Sequence, residues 1–325
     1  MNILQALIDG KVEGISELPQ RHVETVMSDV LIYTDVVRKV YKQDREGIFL
    51  NLQDFDTRKQ FYIDDFQWNQ DVSKDIHTAL HGVMETKEGT YEIVLPAESD
   101  FWFIEMVRVK DTDTLFKRLS EKTATKEHLT ELAKKQTLGL QSLTKSRIDG
   151  YEDLLDGGLQ KLWEMRLDQD LRLFGKSFGK EISAELVDSR VDTLLTYFRN
   201  SEFFQNLTRE DAAIAIDNHA GNVVFHQEEP QFIDIYLVKR EWRVIDHHNN
   251  IARIATCVRV LGNDDLADAM YKEYENHHEL APREIYDFQE SYNALIKGYY
   301  YTYLKQPEIA QKYFSFADNV LEKLA

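Results

Sequence analysis

The stretch Ala215-Ile216-Asp217-Asn218-His219-Ala220-Gly221-Asn222-Val223-Val224-Phe225 is followed nine residues later by Asp234, in Phe232-Ile233-Asp234-Ile235-Tyr236. An aspartate and an asparagine on one loop, then a second aspartate at the end of the next apolar strand, form a pattern that phosphoryl transfer uses. The first Asp orients the acceptor hydroxyl and takes its proton, while the Asn and the second Asp hold Mg2+ against nucleotide phosphates. Oxygen ligands suit that hard cation. On spacing alone the same residues also read as two turns flanking a hairpin, because Asp and Asn are frequent turn formers.

The flanking sequence supplies further parts in order. His22 to Lys42, rich in Val, Ile, Thr and Tyr with polar breaks at Ser28-Asp29 and Thr34-Asp35, predicts consecutive antiparallel strands. Asp54 to Leu80 changes to helical spacing. Ala79 to Val83, Thr90 to Leu95 and Phe101 to Val109 return to strands. From about Thr112 the chain reads as helices at Leu115 to Leu119, Lys126 to Leu143, Gly158 to Leu173 and Ser183 to Phe203. A short β island surrounds the Asp217 loop, and helices resume from Asp246 to Ala325. Lys39 lies on the third predicted strand amid Val36, Val37, Val40 and Tyr41, with Lys42 as a competitor, and the helix that follows presents Asp64 and Asp65. A strand Lys paired with a helix carboxylate is how a kinase holds the α and β phosphates.

Composition bounds the possibilities. The chain has 325 residues, 57 Asp plus Glu against 39 Lys plus Arg, and a net charge of −18. Its length predicts two domains, each large enough for a core. The acidic excess disfavours nucleic-acid surfaces, which need clustered Lys and Arg, and anionic membranes as well. No apolar run is long enough to span a bilayer. Cys257 is the single cysteine, so no internal disulfide forms. With no basic leader at its start, the chain reads as cytoplasmic.

These segments together resemble the aminoglycoside phosphotransferase and choline kinase group of the protein-kinase-like fold, and within it a bacterial branch often fused to a P-loop kinase domain. The resemblance covers most of the chain. It runs from Val23-Glu24-Thr25 through Arg38-Lys39-Val40-Tyr41-Lys42, Phe49 to Thr57, Asp64-Asp65-Phe66-Gln67-Trp68-Asn69 and the hinge-like Glu105-Met106-Val107-Arg108. It then takes in the Asp217 loop and Trp242-Arg243-Val244-Ile245-Asp246. It implies an α+β, two-lobed protein-kinase-like fold: a small antiparallel-sheet N-lobe with one long helix over residues 1–107, and a mainly helical C-lobe over 108–325. It further implies an ATP- and Mg2+-dependent phosphotransferase acting on a hydroxyl of a small molecule. Asp217 matches the catalytic aspartate, Asn222 and Asp234 the metal ligands, and Lys39 the phosphate-binding lysine. Asp65, four residues before Asn69 and so on its face, matches the partner of Lys39, and Met106 lies at the hinge bordering the adenine. Nucleotide and acceptor are the partners implied; a protein partner is left open.

The chain departs from the family pattern in several places. Ala215-Ile216 replaces the loop's leading His-Gly, and Asn250 replaces the second Asp of a later D-x-x-x-D that begins at Asp246. If the two changes are one coordinated repacking, Asn250 must lie close to Ala215. Asp65 is shorter than the family's Glu, and the turn Tyr33-Thr34-Asp35 holds no glycine. The alternative these departures raise is a pseudokinase, a binding or regulatory module without transfer. His247-His248, His277-His278, Cys257 and the Tyr299-to-Tyr303 run read as packing or capping groups. Arg147, Arg166 and Arg172 sit in the helical region expected to bind the acceptor, where they read as helix charges or as contacts to an anion.

Overall fold

The computed structural model describes residues 2–44, 50–86, 90–140, 143 and 145–324. Met1, Phe49, Gln141, Ser142 and Ala325, which belong to segments discussed above, lie outside the described residues. The chain divides into two compact units, Met1–Asp111 with Gln231–Lys239, and Thr112–Pro230 with Arg240–Ala325. The sequence reading placed a boundary after residue 107; compactness places the passage at Asp111 and returns the late segment Gln231–Lys239 to the first unit.

The first unit begins with helix α1 (Ile3–Ile8) and continues as β1 (Arg21–Glu24), β2 (Ser28–Ile32), β3 (Val36–Tyr41), α2 (Phe55–Ser73), β4 (His77–Glu85), β5 (Tyr91–Val94) and β6 (Phe101–Val107). The six strands form one antiparallel sheet in the order β1-β2-β3-β6-β4-β5. Strand alternation sends successive side chains to opposite faces. On one face Leu31, Tyr33, Val40 and Phe103 pack with Ile3, Ala6 and Leu7 of α1. Lys39 and Tyr41, offset by one residue from Val40, take the other face, where Tyr41 N donates to Tyr62 Oη of α2 (2.6 Å).

Asp54 starts α2 by accepting from Thr57 N at 2.7 Å. The helix ends at Ser73, short of the predicted Leu80, because His77 to Leu80 pair with β6 at Met106, Glu105 and Ile104. A ladder of long-range hydrogen bonds overrides local helical spacing there. The buried stripe of α2 is Arg58, Phe61, Tyr62, Asp65, Trp68, Asn69 and Ser73. Its spacing is that of an amphipathic helix, but every fourth position along one edge (Asp65, Asn69, Ser73) is polar.

The second unit contains α3 (Leu115–Ser120), α4 (Lys126–Gly139), α5 (Tyr151–Leu154), α6 (Gly158–Glu164), a π-helical stretch Met165–Leu171, α7 (Arg172–Phe178), α8 (Ala184–Asn200), α9 (Glu202–Gln205), α10 (His247–Leu261), α11 (Asp264–Glu275), α12 (Arg283–Tyr303) and α13 (Pro307–Leu324). The predicted single island is in fact two small pairs. Strand β7 (Ala212–Ile214) pairs antiparallel with β10 (Val244–Asp246), and β8 (Val223–His226) with β9 (Glu229–Phe232), within which the chain passes back to the first unit. Gly298 allows α12 and α13 to approach: a Cβ there would sit 2.4 Å from Phe314 Cε1.

No helix among the described residues is long and apolar enough to cross a membrane. Cys257 is buried on α10.

Candidate active site

In the first unit, Lys39 is 5% exposed, and its ammonium contacts Asp234 and lies 3.6 Å from Asp65 Oδ2. Burial alone would strip its charge, but Asp234 and Asp65 outweigh that and hold its pKa above the usual lysine value. Burial pushes the Asp65 carboxyl up against the pull of Lys39. Asp65 also accepts from Tyr41 Oη at 2.5 Å and from Asn69 Nδ2 at 2.8 Å. Lys42 lies past the end of β3 and pairs instead with Glu24 Oε1 at 2.6 Å.

Asp234 has φ +52°, a left-handed conformation that costs a non-glycine residue about 1–2 kcal/mol. The polar edge of α2 supports it. Phe232 N donates to Ser73 Oγ (3.0 Å), Ile235 N donates to Asn69 Oδ1 (3.3 Å), and Tyr236 Oη donates to Asp64 Oδ2 (2.7 Å). Asn69 therefore orients the Lys39 partner with its amide nitrogen and the Asp234 segment with its oxygen, while Asp64 is engaged by a tyrosine. Strain of this kind, held in place by its surroundings, is characteristic of functional residues.

Met106 lies inside β6, opposite Val37 and His77, and is 9% exposed. The next two amides are used within the same unit, Val107 N donating to Ile76 O (2.8 Å) and Arg108 N to Asp35 O (3.0 Å). In the glycine-free turn after β2, Thr34 donates through N and Oγ1 to Glu17 Oε1 at 2.8 and 2.6 Å, so this turn offers a carboxylate rather than amides.

In the second unit, the loop after β7 carries Asp217. Asn222 N donates to His219 O (2.8 Å), Asn222 Nδ2 to Asp217 O (2.8 Å) and Gly221 N to His219 Nδ1 (3.1 Å), closing the loop on itself. Ala215 and Ile216 are buried apolar contacts. Asn250, on α10, donates through Nδ2 to Ile214 O at 2.9 Å, while its backbone carbonyl accepts from Asn218 Nδ2 (2.9 Å) and from Gln136 Nε2. Asn250 thus lies against the residue preceding Ala215, where a coordinated repacking requires it. Neutral amides of Asn218, Asn250 and Gln136 tie the loop to α10 and α4 on this side.

The Asp217 side chain is 32% exposed and faces Arg253 Nη2 at 3.4 Å and His219 Nε2 at 3.9 Å. Burial raises its pKa, but Lys297, His219 and Arg253 outweigh that and bring it down to about 2. At neutral pH it is a carboxylate that accepts a hydrogen bond well and binds a proton only weakly. Arg253 and Lys297 were missed in the sequence. Their signal was a single charge inside an apolar helical run, Ile251-Ala252-Arg253-Ile254-Ala255 on α10 and Ala294-Leu295-Ile296-Lys297-Gly298-Tyr299 on α12.

Other sequence candidates have structural duties. Asp246 caps α10 and accepts from Asn249 N (3.1 Å), Trp163 Nε1 (2.8 Å) and Gln289 Nε2 (2.8 Å). His247 and His248 bond to Tyr274 and Tyr286. Among the described residues no group of three or more His, Cys, Asp or Glu is placed to hold a metal ion. Buried Arg166 donates to Glu241 O (2.7 Å) and Val244 O (2.6 Å), and Arg172 pairs with Asp168, Asp188 and Asp192.

No protein-family model matches the chain, and no curated protein matches it. Solved structures do match. Choline kinase from Cryptosporidium parvum Iowa II superposes with TM-score 0.56 at 10% identity, covering 99% of this chain and 94% of that one. A thermostable mutant of aminoglycoside phosphotransferase APH(4)-Ia, in ternary complex with AMP-PNP and hygromycin B, gives 0.55 at 13% identity over 100% and 99%. Spectinomycin phosphotransferase APH(9)-Ia, in its AMP-bound complex, gives 0.52 at 12% identity over 100% and 98%. The chain has the protein-kinase-like fold that aminoglycoside phosphotransferases and choline kinases share.

Proposed function

We propose that this protein is an ATP- and Mg2+-dependent phosphotransferase acting on a hydroxyl of a small molecule. The observation that carries the reading is the Lys39–Asp65–Asp234 cluster, a buried lysine between two carboxylates, one of them held in a left-handed conformation by the polar edge of α2. Structural neighbours captured with AMP-PNP or AMP add weight to a nucleotide ligand.

In this reading Lys39, oriented by Asp65, neutralises phosphate charge, and Met106 lies beside the adenine. Asp234 and Asn222 would hold Mg2+ through carboxylate and amide oxygens, the donor type that ion takes. The bound ion would supply charge neutralisation at the transferring phosphoryl group. Asp217, a carboxylate of pKa about 2, orients the acceptor hydroxyl by accepting its hydrogen bond and receives the proton late, as positioning-dominated phosphoryl transfer allows. The amide-supported loop offers a route to holding Asp217 without the family's His-Gly.

The test is thermal unfolding with Mg-ATP, combined with ADP release. Mg-ATP should raise the midpoint of the wild-type protein, since a ligand specific for the native state stabilises it. Lys39→Met should lose most of that shift, and Asp217→Ala should keep it while losing ADP release. No shift in the wild type, or undiminished release in Asp217→Ala, would overturn the assignment; a shift without any release would identify a binding module.

A further inference from the structure

Two of the three arginines expected near an acceptor are spent, Arg166 on backbone carbonyls and Arg172 on three aspartates. Arg253 and Lys297 are placed differently. Arg253 Nη1 donates to Ile216 O at 2.9 Å, which sets its second nitrogen 3.4 Å from Asp217 Oδ1. Lys297 of α12, 7% exposed, lies near enough to lower the Asp217 pKa, and its ammonium sits over the Tyr300 ring at 5.3 Å with no hydrogen bond among the described residues. Arg253 at 3.4 Å, with Lys297 beyond it, thus places positive charge around one carboxylate inside a chain whose net charge is −18. An ammonium buried without hydrogen bonds is costly, and a second anion bound beside Asp217 would remove that cost.

We propose that the acceptor is an anionic alcohol, whose carboxylate or phosphate group is held by Arg253 and Lys297 while its hydroxyl meets Asp217. The proposal rests on the phosphotransferase reading above. The acceptor oxygen forms the new bond to the γ-phosphorus as the bond from that phosphorus to the β–γ bridging oxygen breaks. ADP leaves with the electron pair, and the hydroxyl proton passes to Asp217 and on to solvent. Cationic alcohols are disfavoured at this site by like-charge repulsion, so the pair sets specificity by exclusion as well as by attraction.

The test uses the full chain with Mg-ADP for binding and Mg-ATP for turnover, against glycerate, glycerol 3-phosphate, inorganic phosphate, glycerol, choline and kanamycin. Thermal stabilisation is expected from the anions and not from glycerol or the cations; glycerate against glycerol 3-phosphate separates a carboxylate from a phosphate acceptor. Arg253→Gln should weaken anion binding about ten- to hundredfold, the loss of one charge-assisted hydrogen bond, and Arg253→Lys should restore part of it. Lys297→Met should act in the same direction, and Arg253→Gln keeps the test decisive if that variant does not fold. On any accepted alcohol the substitutions should raise KM more than they lower kcat. Stabilisation by no anion, anion binding unchanged in Arg253→Gln, or preference for glycerol, choline or kanamycin would overturn the proposal. So would a fall in kcat at constant KM, which would assign both cations to the transferred phosphoryl group. Failure of the phosphotransferase reading is separately visible as the absence of any Mg-ATP shift.

Discussion

Lys39→Met puts the buried cluster of the first unit to a quantitative test. Removing one partner of a buried ion pair costs about 3–5 kcal/mol, because the remaining charge is left in a low-dielectric site. The geometry points to the lower end. Asp65 keeps its bonds from Tyr41 (2.5 Å) and Asn69 (2.8 Å) and loses a lysine at 3.6 Å, while Asp234, whose side chain is 44% exposed, regains water. The deficit should depend on pH. Burial already raises the Asp65 pKa in the wild type, and without Lys39 it rises further. A carboxyl whose folded pKa lies above its unfolded value of about 4 destabilises the native state increasingly as pH climbs from that value to the folded pKa, and not at all below it. The deficit of the variant should therefore be smallest near about pH 4, the unfolded carboxyl value, and grow as pH rises and Asp65 ionises, to about 3 kcal/mol. Urea denaturation across that range, with hydrogen exchange of the β3 and α2 amides to localise the effect, measures it. Adding Asp65→Asn should recover much of the loss at high pH. A deficit below about 1 kcal/mol, or one that does not change with pH, would mean that Lys39 and Asp65 are not an energetically coupled pair.

Three further outcomes follow from the second unit. Asn250→Ala removes the donor to Ile214 O and should cost about 1–3 kcal/mol, read by urea denaturation, while the bonds to its backbone carbonyl survive. Buried His248, with its pKa depressed to about 3, contributes stability that is complete above about pH 6.5 and is lost as pH falls toward 3, at up to about 1.4 kcal/mol per pH unit. His248→Phe should flatten the acid limb of a plot of thermal midpoint against pH, and an unchanged limb would show that other groups govern it. Gly298→Ala should destabilise by about 1–3 kcal/mol through the clash with Phe314, opposite in sign to the gain of about 1 kcal/mol that helix propensity alone predicts.

The order of elements was legible because strand alternation and helical spacing are properties of neighbouring residues. The sheet strands around Lys39 and the loop from Asp217 to Asn222 could be located from these patterns. The limits of legibility are equally physical. The end of α2 at Ser73 depends on pairing of His77 to Leu80 with β6, and the short strand β10 exists only by pairing with β7.

Among the candidate residues, the sequence by itself determined which types were present: Lys39, Asp65, Asp217, Asn222 and Asp234 at spacings that suit phosphoryl transfer. Tertiary structure decided what they touch. Asp65 rather than Asp64 meets Lys39 because the Asp65-Asn69-Ser73 edge of α2 faces both β3 and the segment carrying Asp234, a contact spanning more than 150 residues of chain. Asn250 reaches Ile214, and Arg253 reaches Asp217, from a helix distant in sequence. Charge carries no local periodicity, so its convergence on one carboxylate emerges only when helices of separate origin pack.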